Sequence, residues 1–502
     1  MAKSKSKGFI SRHGLWDAEQ EAAAEVVRRR MADLDLEVIR LAWPDQHGLM
    51  RGKFLTQESC GAALIDGMEI TMAPFFFDTA NAIVFNPFIA GGGFGLPELT
   101  GSPNVFMVPD PTTFTVLPWA EKTGWMIADL YMRDGTPFRF SPRNIMRKAV
   151  ADLEEAGYGF VAGLEMEWYL TKIVDDTLET AGHGGPGQPA PPPIVRPVAR
   201  GYSYLLENHL DEIEDVLVPL RRHLKALDLP VRSIDDEWAP SQVETTFDVM
   251  TGVRAADMTA LYRQATKQVC RRMGYLATFM CKPALPGFYG SGWHLHTSLT
   301  DLSTGGNAFV PEHEGEVLSE VGRHYVGGTL EHSIAASVFT TPTVNGYRRR
   351  RPFSLAPDRS TWGVDNRGAM MRVLSAGPAD RSSHVENRVG EPAANPYLYM
   401  AAQIVMGLDG IRKRTDPGPL SDEPYVDETR PLLPATLDDA VDALESSTFF
   451  REQWGDSFID YLVAIKRCEL GRFNEHVRSQ ENPSQYIENV TDWEHYEYFE
   501  LF

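Results

Sequence analysis

Three short segments of this chain carry charged or metal-competent side chains at alternate positions inside apolar runs. They are Glu165 and Glu167 in Gly163-Leu-Glu-Met-Glu-Trp168, His294 and His296 in Gly292-Trp-His-Leu-His-Thr297, and Glu386 and Arg388 in His384-Val-Glu-Asn-Arg-Val389. Side chains two apart on a strand share a face, so each segment predicts a strand with one apolar side and one polar side. Leu164, Met166 and Trp168 then pack behind the sheet while the acids opposite them face a shared, partly closed space. Glu237 and Glu244 lie within a further strand-like run, Val231 to Asp248, and add two carboxylates. An oxygen-rich set of five acids with a histidine suits a hard divalent cation, Mg²⁺ or Mn²⁺. Any one pair alone reads as a solvated strand face or a hydrogen-bonded histidine pair; three pairs among apolar neighbours point to a common site.

The rest of the chain predicts an α+β protein of two to four domains, at roughly 100 to 200 residues per domain. Helical spacing covers Ala18 to Ala32, Asn144 to Ala156 behind Ser141-Pro142, Leu210 to Leu227, Ala255 to Met273, Val317 to Thr340, Pro396 to Arg412, Leu437 to Phe449 and Asp456 to Glu475. Val38 to Trp43 reads as a strand entering the turn Pro44-Asp-Gln-His-Gly48, and Phe160 to Lys172 as a longer one. The Gly- and Pro-rich stretch from Ala181 to Arg200 reads as a loop. The expected division is a basic tail over 1–15, a small N-terminal domain over 16–135 and a larger domain with an antiparallel sheet over 136–502.

Charge narrows the partners. With 48 Lys and Arg against 69 Asp and Glu the net charge is 48 − 69 = −21, which repels nucleic acid and anionic lipid. No run approaches about 18 apolar residues, and Met1 to Lys7 is basic without an apolar segment behind it, so no membrane partner is expected. Cys60, Cys270, Cys281 and Cys468 are too scattered for a disulfide framework or a thiolate zinc site, and the expected compartment is the reducing cytoplasm.

An anionic small substrate needs local cations in such a field. Arg348 to Arg351 form one basic run, of which Arg350 and Arg351 fit a solvated face; Arg367 and Arg372 flank Gly-Ala-Met-Met and are expected to emerge from buried strand, where a guanidinium takes a carboxylate or phosphate. Divalent ions with arginines around a cavity are the equipment of phosphoryl transfer. There is no Walker-type loop and no Gly-x-Gly-x-x-Gly behind a clear strand, so no P-loop holds a nucleotide.

The order of these motifs resembles the glutamine synthetase superfamily over nearly the whole chain. The matching stretches are Gly163 to Trp168, Asp236-Glu-Trp-Ala-Pro-Ser-Gln-Val-Glu244, Lys282-Pro283 through Gly290-Ser-Gly-Trp-His-Leu-His-Thr-Ser298, Pro342-Thr-Val-Asn-Gly-Tyr-Arg-Arg349, Asn366-Arg367 and Glu386-Asn-Arg388 through Asn395-Pro396. The resemblance implies an N-terminal β-grasp domain before a large catalytic domain, and stacked, dodecamer-like rings with active sites shared between subunits. It implies Glu167, Glu237 and Glu244 as ligands of one metal and Glu165, His294 and Glu386 of a second, with two or three ions per site. Arg349 and Arg388 take the place of the clamp on glutamate with Gly290 near its amino group, Arg367 and Arg372 face phosphate, and His296 and Ser298 contact ATP. Asp45 falls where a neighbouring subunit's acid binds and deprotonates the amine. The implied reaction activates the γ-carboxylate of glutamate as an acyl phosphate from ATP, which an amine then attacks.

Departures from the family pattern bear on the acceptor. Leu355 stands where the family carries a glutamate that attracts ammonium, and a leucine packs against an apolar substituent instead of binding a cation. Tyr289 replaces the usual asparagine before Gly290, Trp293 replaces a commoner methionine, and His384 stands two before Glu386; with Tyr202 these put Leu355, Tyr202, Tyr289 and Trp293 in an expected amine pocket. The chain therefore resembles the branch that joins glutamate to organic amines, the γ-glutamylanilide and γ-glutamylalkylamide type, with an arylamine such as aniline as the expected acceptor. A glutamine synthetase using ammonium is the competing reading, kept open by Asp45, followed by a polyamine ligase. A non-catalytic relative would be expected to lose metal ligands, and all six are present.

Overall fold

The computed structural model describes residues 8–178, 182–480 and 489–502. Met1 to Lys7, and Ala181 at the start of the expected loop, lie outside them. Among the described residues the strands form a six-stranded and a ten-stranded sheet.

The N-terminal sheet contains β1 (Val38–Pro44), β2 (Met50–Leu55), β3 (Met68–Thr71), β4 (Asn104–Pro109), β5 (Thr115–Val116) and β6 (Thr123–Tyr131). Its order is β2-β1-β6-β4-β3, with β5 on β6, and β1 runs parallel to β6. A parallel pair needs a crossover, supplied here by the helix Gln57–Asp66 and the segments after it. The preceding helix, Ala18–Asp33, begins with a capping box between Asp17 and Gln20 and buries Ala24, Val27 and Met31 from one face. Gly48 has φ +76 in the β1–β2 turn, and a Cβ there would lie 2.8 Å from Asn395 Cα, so the turn seats directly on the larger domain.

That domain is organised around β7 (Tyr158–Asp175). With β8 (Ile194–Pro197), β9 (Val231–Asp236), β10 (Gln242–Phe247), β11 (Met250–Thr251), β12 (Tyr275–Thr278), β13 (Trp293–Asp301), β14 (Trp362–Val364), β15 (Met371–Leu374) and β16 (His384–Gly390) it makes a sheet of order β14-β15-β16-β13-β7-β10-β9. β8, β11 and β12 pair along β7, and every pairing is antiparallel except β14 with β15. The helices Pro142–Glu155, Gly252–Arg272 and Pro396–Lys413 pack together behind it. The last is buried almost all round and is N-capped by Asn395, whose side chain also reaches the Asp45 and Gln46 carbonyls.

Several expectations need correction. Residues 9–13, expected in a tail, form a helix whose Phe9 and Ile10 are buried with Val108. The expected loop to Arg200 contributes β8 at the far end of β7, because a strand this long offers its edge well beyond the central pairings. Three expected helices are each broken: at Ile213, at His332, and between Glu445 and Thr448, where Ser447 accepts from Phe450 N–H and starts a new helix. Ser141 sits at the cap position of its helix, but its side chain makes no capping bond.

A buried charge network ties the N-terminal sheet to the helices behind the larger one. Arg143 donates to Asp257 from Nε at 2.9 Å, to Asp129 from Nη1 and to Asp110 from Nη2 at 2.7 Å. Burial opposes charging Asp110, yet Arg143 and Arg147 beside it hold its carboxyl well below the usual range.

Candidate active site

Strand register explains how residues far apart in sequence meet. His294 of β13 stands directly opposite Glu165 of β7, and Glu244 of β10 directly opposite Glu167. On the other side of β13, Glu386 pairs in register with His296 and, through β15, with Arg372. Alternation then puts all of these on one face and Leu164, Met166, Trp168, Val243, Leu295, Val385 and Val389 in the core.

Two donor sets result. Ligand atoms of Glu165, His294 and Glu386 all lie within 4.8 Å of one another, and so do those of Glu167, Glu244 and His294. The first is the set the resemblance implied for the second metal. In the other, His294 takes the place expected of Glu237. Glu237 sits just past the end of β9, where Trp238 N–H donates to its Oε2 at 3.0 Å, and its ties to the set are the electrostatic ones to Glu167 and Glu244.

The electrostatics are those of a cation site. Burial and then the neighbouring acids push Glu244 up to about 10 and Glu237 up to about 8, and burial raises Glu167. Burial, followed by the Arg388 charge, holds His294 down at about 4, which keeps its imidazole neutral. Burial would raise Glu165, but His294 and His296 reverse that and hold it well below the carboxylate range. His294 Nδ1 lies 3.4 Å from Glu165 and 3.5 Å from Glu386, while His296 Nε2 is 3.2 Å from Glu165 Oε1 without hydrogen-bond alignment. A neutral histidine among crowded carboxylates is the donor chemistry of Mg²⁺ or Mn²⁺.

The arginines form an adjoining wall. Arg349 donates to the Arg388 and Gly390 carbonyls at 3.1 and 3.2 Å, with Nη2 3.2 Å from His294 Nε2. Arg388 and Arg372 both donate to Glu386, which has no exposed surface, and Arg372 also holds Asp365. Gly290 and Gly292 leave space for Arg349: a Cβ on Gly290 would be 2.9 Å from its side chain, and one on Gly292 2.4 Å from Nη2. Arg372 lies on β15 as expected, whereas Arg367 is exposed on a turn and meets the site through its carbonyl, which accepts from Arg388 Nε at 3.1 Å. Ser298 lies on the site face of β13, two residues beyond His296.

Two other expectations change. Trp293 is fully buried, edge-on to Tyr399 at 5.0 Å, because its neighbour His294 occupies the site face of the strand; it belongs to the core and not to an amine pocket. Asp45 has no exposed surface, and its carboxylate accepts from His47 N–H, Leu49 N–H and Arg51 Nε, so within its own chain it closes the β1–β2 turn. Leu355 is 62% exposed at φ +59, on a turn linked to the arginines by Ser354 Oγ, 3.4 Å from the Arg349 carbonyl. Tyr202 and Tyr289 are exposed and edge-on to each other.

Some site residues went unassigned in the sequence. Gln242 Nε2 donates to Glu167 Oε2 at 2.9 Å and to Ser291 Oγ at 3.0 Å, fixing a ligand from behind; its place two before Glu244 on the same strand face was the available signal. Tyr425 lies in the field of Arg349 and Arg388 with its ring against Phe353, and no local pattern marks it. Trp238 directly follows Glu237 and stays exposed.

Comparison with known proteins agrees with this geometry. Residues 139–484 match the model of the glutamine synthetase catalytic domain. The chain is 54% identical to a γ-glutamylanilide synthase of an Acinetobacter species, over 99% of this chain and all of the relative. It is 30% identical to a glutamate–isopropylamine ligase of a Pseudomonas species, over 89% of this chain and 94% of that one. A solved complex of GmaS with ADP superposes with a TM-score of 0.73 at 25% identity, over 94% of this chain and 98% of that one. The matched domain carries both donor sets and the arginine wall, and the chain belongs to the glutamine synthetase family.

Proposed function

We propose that this chain is an ATP-dependent ligase that joins the γ-carboxylate of glutamate to an organic amine, an arylamine such as aniline being the preferred acceptor. The observation that carries the reading is a cluster of carboxylates around a shared His294, beside an arginine-bearing turn on which Leu355 stands where the family resemblance implies an acid. The names of the anilide and isopropylamine relatives point the same way.

Glu165, Glu167, Glu244, His294 and Glu386, with Glu237 beside them, would hold Mg²⁺ or Mn²⁺, whose charge would neutralise phosphate oxygens. Arg349 and Arg388 bind and orient glutamate, and Arg367 and Arg372 face the transferring phosphoryl group. A γ-carboxylate oxygen takes the terminal phosphoryl group of ATP, releasing ADP. The amine nitrogen then attacks the acyl carbon, phosphate departs with the bonding pair and takes up the proton that the nitrogen sheds, and the amide is left. An arylamine arrives neutral at pH 7 and needs no anionic site to attract it, which suits Leu355; ammonium does need one. We further place the protein in the cytoplasm, as a ring-shaped homo-oligomer with active sites shared between subunits. All four cysteines are free, and among the described residues no helix is long and apolar enough to cross a membrane.

The test is an acceptor panel of aniline, isopropylamine, putrescine and ammonium with ATP, glutamate and Mg²⁺ or Mn²⁺, read as ADP release and product mass. Aniline is expected to lead. Ammonium ahead by a wide margin would make the chain a glutamine synthetase, and no ADP with any acceptor would refute catalysis.

A further inference from the structure

Three aromatic rings stand together beside Glu237. Trp238, Tyr202 and Tyr289 are 48%, 49% and 52% exposed. Tyr202 lies 5.9 Å from Trp238 at 69° and 6.0 Å from Tyr289 at 82°, the edge-to-face geometry that ring quadrupoles favour. Their backbones are pinned. Tyr202 N–H donates to the Trp238 carbonyl at 2.6 Å, and the Tyr202 hydroxyl donates to the Gly287 carbonyl at 2.9 Å. The buried Tyr169 hydroxyl accepts from Tyr289 N–H at 2.9 Å and donates to the Tyr289 carbonyl at 2.8 Å. The loop bearing Tyr202 also borders the cluster: the hydroxyl of Tyr204 is raised by burial and then by the Glu237 and Glu244 charges.

We propose that these rings seat the aryl group of the acceptor amine and that Trp238 sets the preference for it. The proposal rests on the ligase reading above. The attacking nitrogen must reach a γ-carbonyl held at the cluster, and the exposed rings that border the cluster at Glu237 are Trp238 and, edge-on to one another, Tyr202 and Tyr289. Fixed, half-exposed rings offer a flat substituent both buried area and a further edge-to-face partner. Ammonium brings nothing to fill the seat, and isopropylamine brings less area and no ring.

The experiment compares wild type, Trp238→Ala, Trp238→Phe and Tyr289→Leu on aniline, isopropylamine and putrescine, with KM for glutamate, the Mg²⁺ requirement and the assembly size measured alongside. For Trp238→Ala the ratio of kcat/KM for aniline to that for isopropylamine falls on the order of tenfold, chiefly through KM for aniline. Trp238→Phe restores most of it. Tyr289→Leu shifts the ratio the same way and keeps the test open should Trp238→Ala fail to fold. An unchanged ratio in Trp238→Ala and Tyr289→Leu overturns the proposal, as does an equal loss on aniline and isopropylamine with a shifted Mg²⁺ requirement, which would mean that Trp238 only positions Glu237. A changed assembly size with an unchanged ratio overturns it too, since the rings would then be a contact between copies. A selective loss of putrescine use would assign the rings to a cation instead. If wild type makes no γ-glutamylamide from any organic amine, the ligase reading itself has failed; if wild type, Trp238→Ala and Tyr289→Leu use aniline equally well, only this inference has.

Discussion

Glu165 and His294 face each other across β7 and β13, with His294 Nδ1 3.4 Å from Glu165 Oε2, and His294 is common to both donor sets. Removing it therefore disables both at once. His294→Ala is expected to lower metal-dependent ADP release by about a hundredfold or more, since even residues behind metal ligands are worth 10- to 100-fold. Calorimetric titration with Mn²⁺ checks the cause: unchanged metal affinity would show that the histidine serves something other than the ion. In the wild type a chelator should abolish turnover, and added Mg²⁺ or Mn²⁺ should restore it.

Leu355 holds a left-handed conformation, unusual for a branched side chain, on the turn joined to Arg349. Leu355→Glu places a carboxylate there. Ammonium use should rise and aniline use fall, each on the order of tenfold, because a cation gains a countercharge while an apolar ring meets a hydrated anion. Acceptor ratios that stay within twofold would detach this residue from specificity.

The alternation of Glu165 with Glu167, of His294 with His296 and of Glu386 with Arg388 was legible from spacing, since it reports strand faces directly. Applied consistently, the same parity places Trp293 in the core. What spacing lacks is register: nothing local in β13 says that His294 meets Glu165, or that Glu167 and Glu244 share His294 while Glu237 falls just beyond its strand. Arg367 was misplaced because apolar neighbours suggested strand, where the chain turns instead. The Arg143 network was invisible for a related reason. Its partners Asp110, Asp129 and Asp257 come from separate elements and make no pattern in any one of them.

That network predicts a stability effect without a direct catalytic one. Arg143→Met leaves Asp110, Asp129 and Asp257 buried around an apolar side chain, and breaking a buried ion pair from one side costs about 3–5 kcal/mol. Calorimetry should show a large fall in Tm. Because the Asp110 carboxyl is held low, its contribution is present above the unfolded carboxylate pKa and is lost as pH falls, so Asp110→Asn should flatten the acid side of the Tm profile.

Glu391 gives the opposite pH dependence. It is buried behind the arginine wall, accepts from Thr343 N–H and Thr343 Oγ at 2.8 Å each, and burial raises its pKa to about 7. A raised acid favours folding below its unfolded pKa of about 4.3, and that contribution is lost as pH climbs through 7. Tm of the wild type should therefore fall more between pH 5 and pH 8 than that of Glu391→Gln. Parallel profiles would mean that the carboxyl is ionised throughout.

Gly292 separates positioning from folding. Its backbone needs no left-handed conformation, but an added Cβ would lie 2.4 Å from Arg349 Nη2 and 2.9 Å from His294 Nε2. The flexible arginine end is the part able to move, and moving it withdraws the group proposed to hold glutamate. Gly292→Ala should raise KM for glutamate about tenfold or more, with Tm lowered by only a few degrees. Gly61 supplies the control: it lies within the helix Gln57–Asp66 with open space where a methyl would be added, so Gly61→Ala should stabilise by about 0.5–1 kcal/mol and leave kinetics alone. A glutamate KM as unmoved in Gly292→Ala as in Gly61→Ala would release Arg349 from the substrate-binding role.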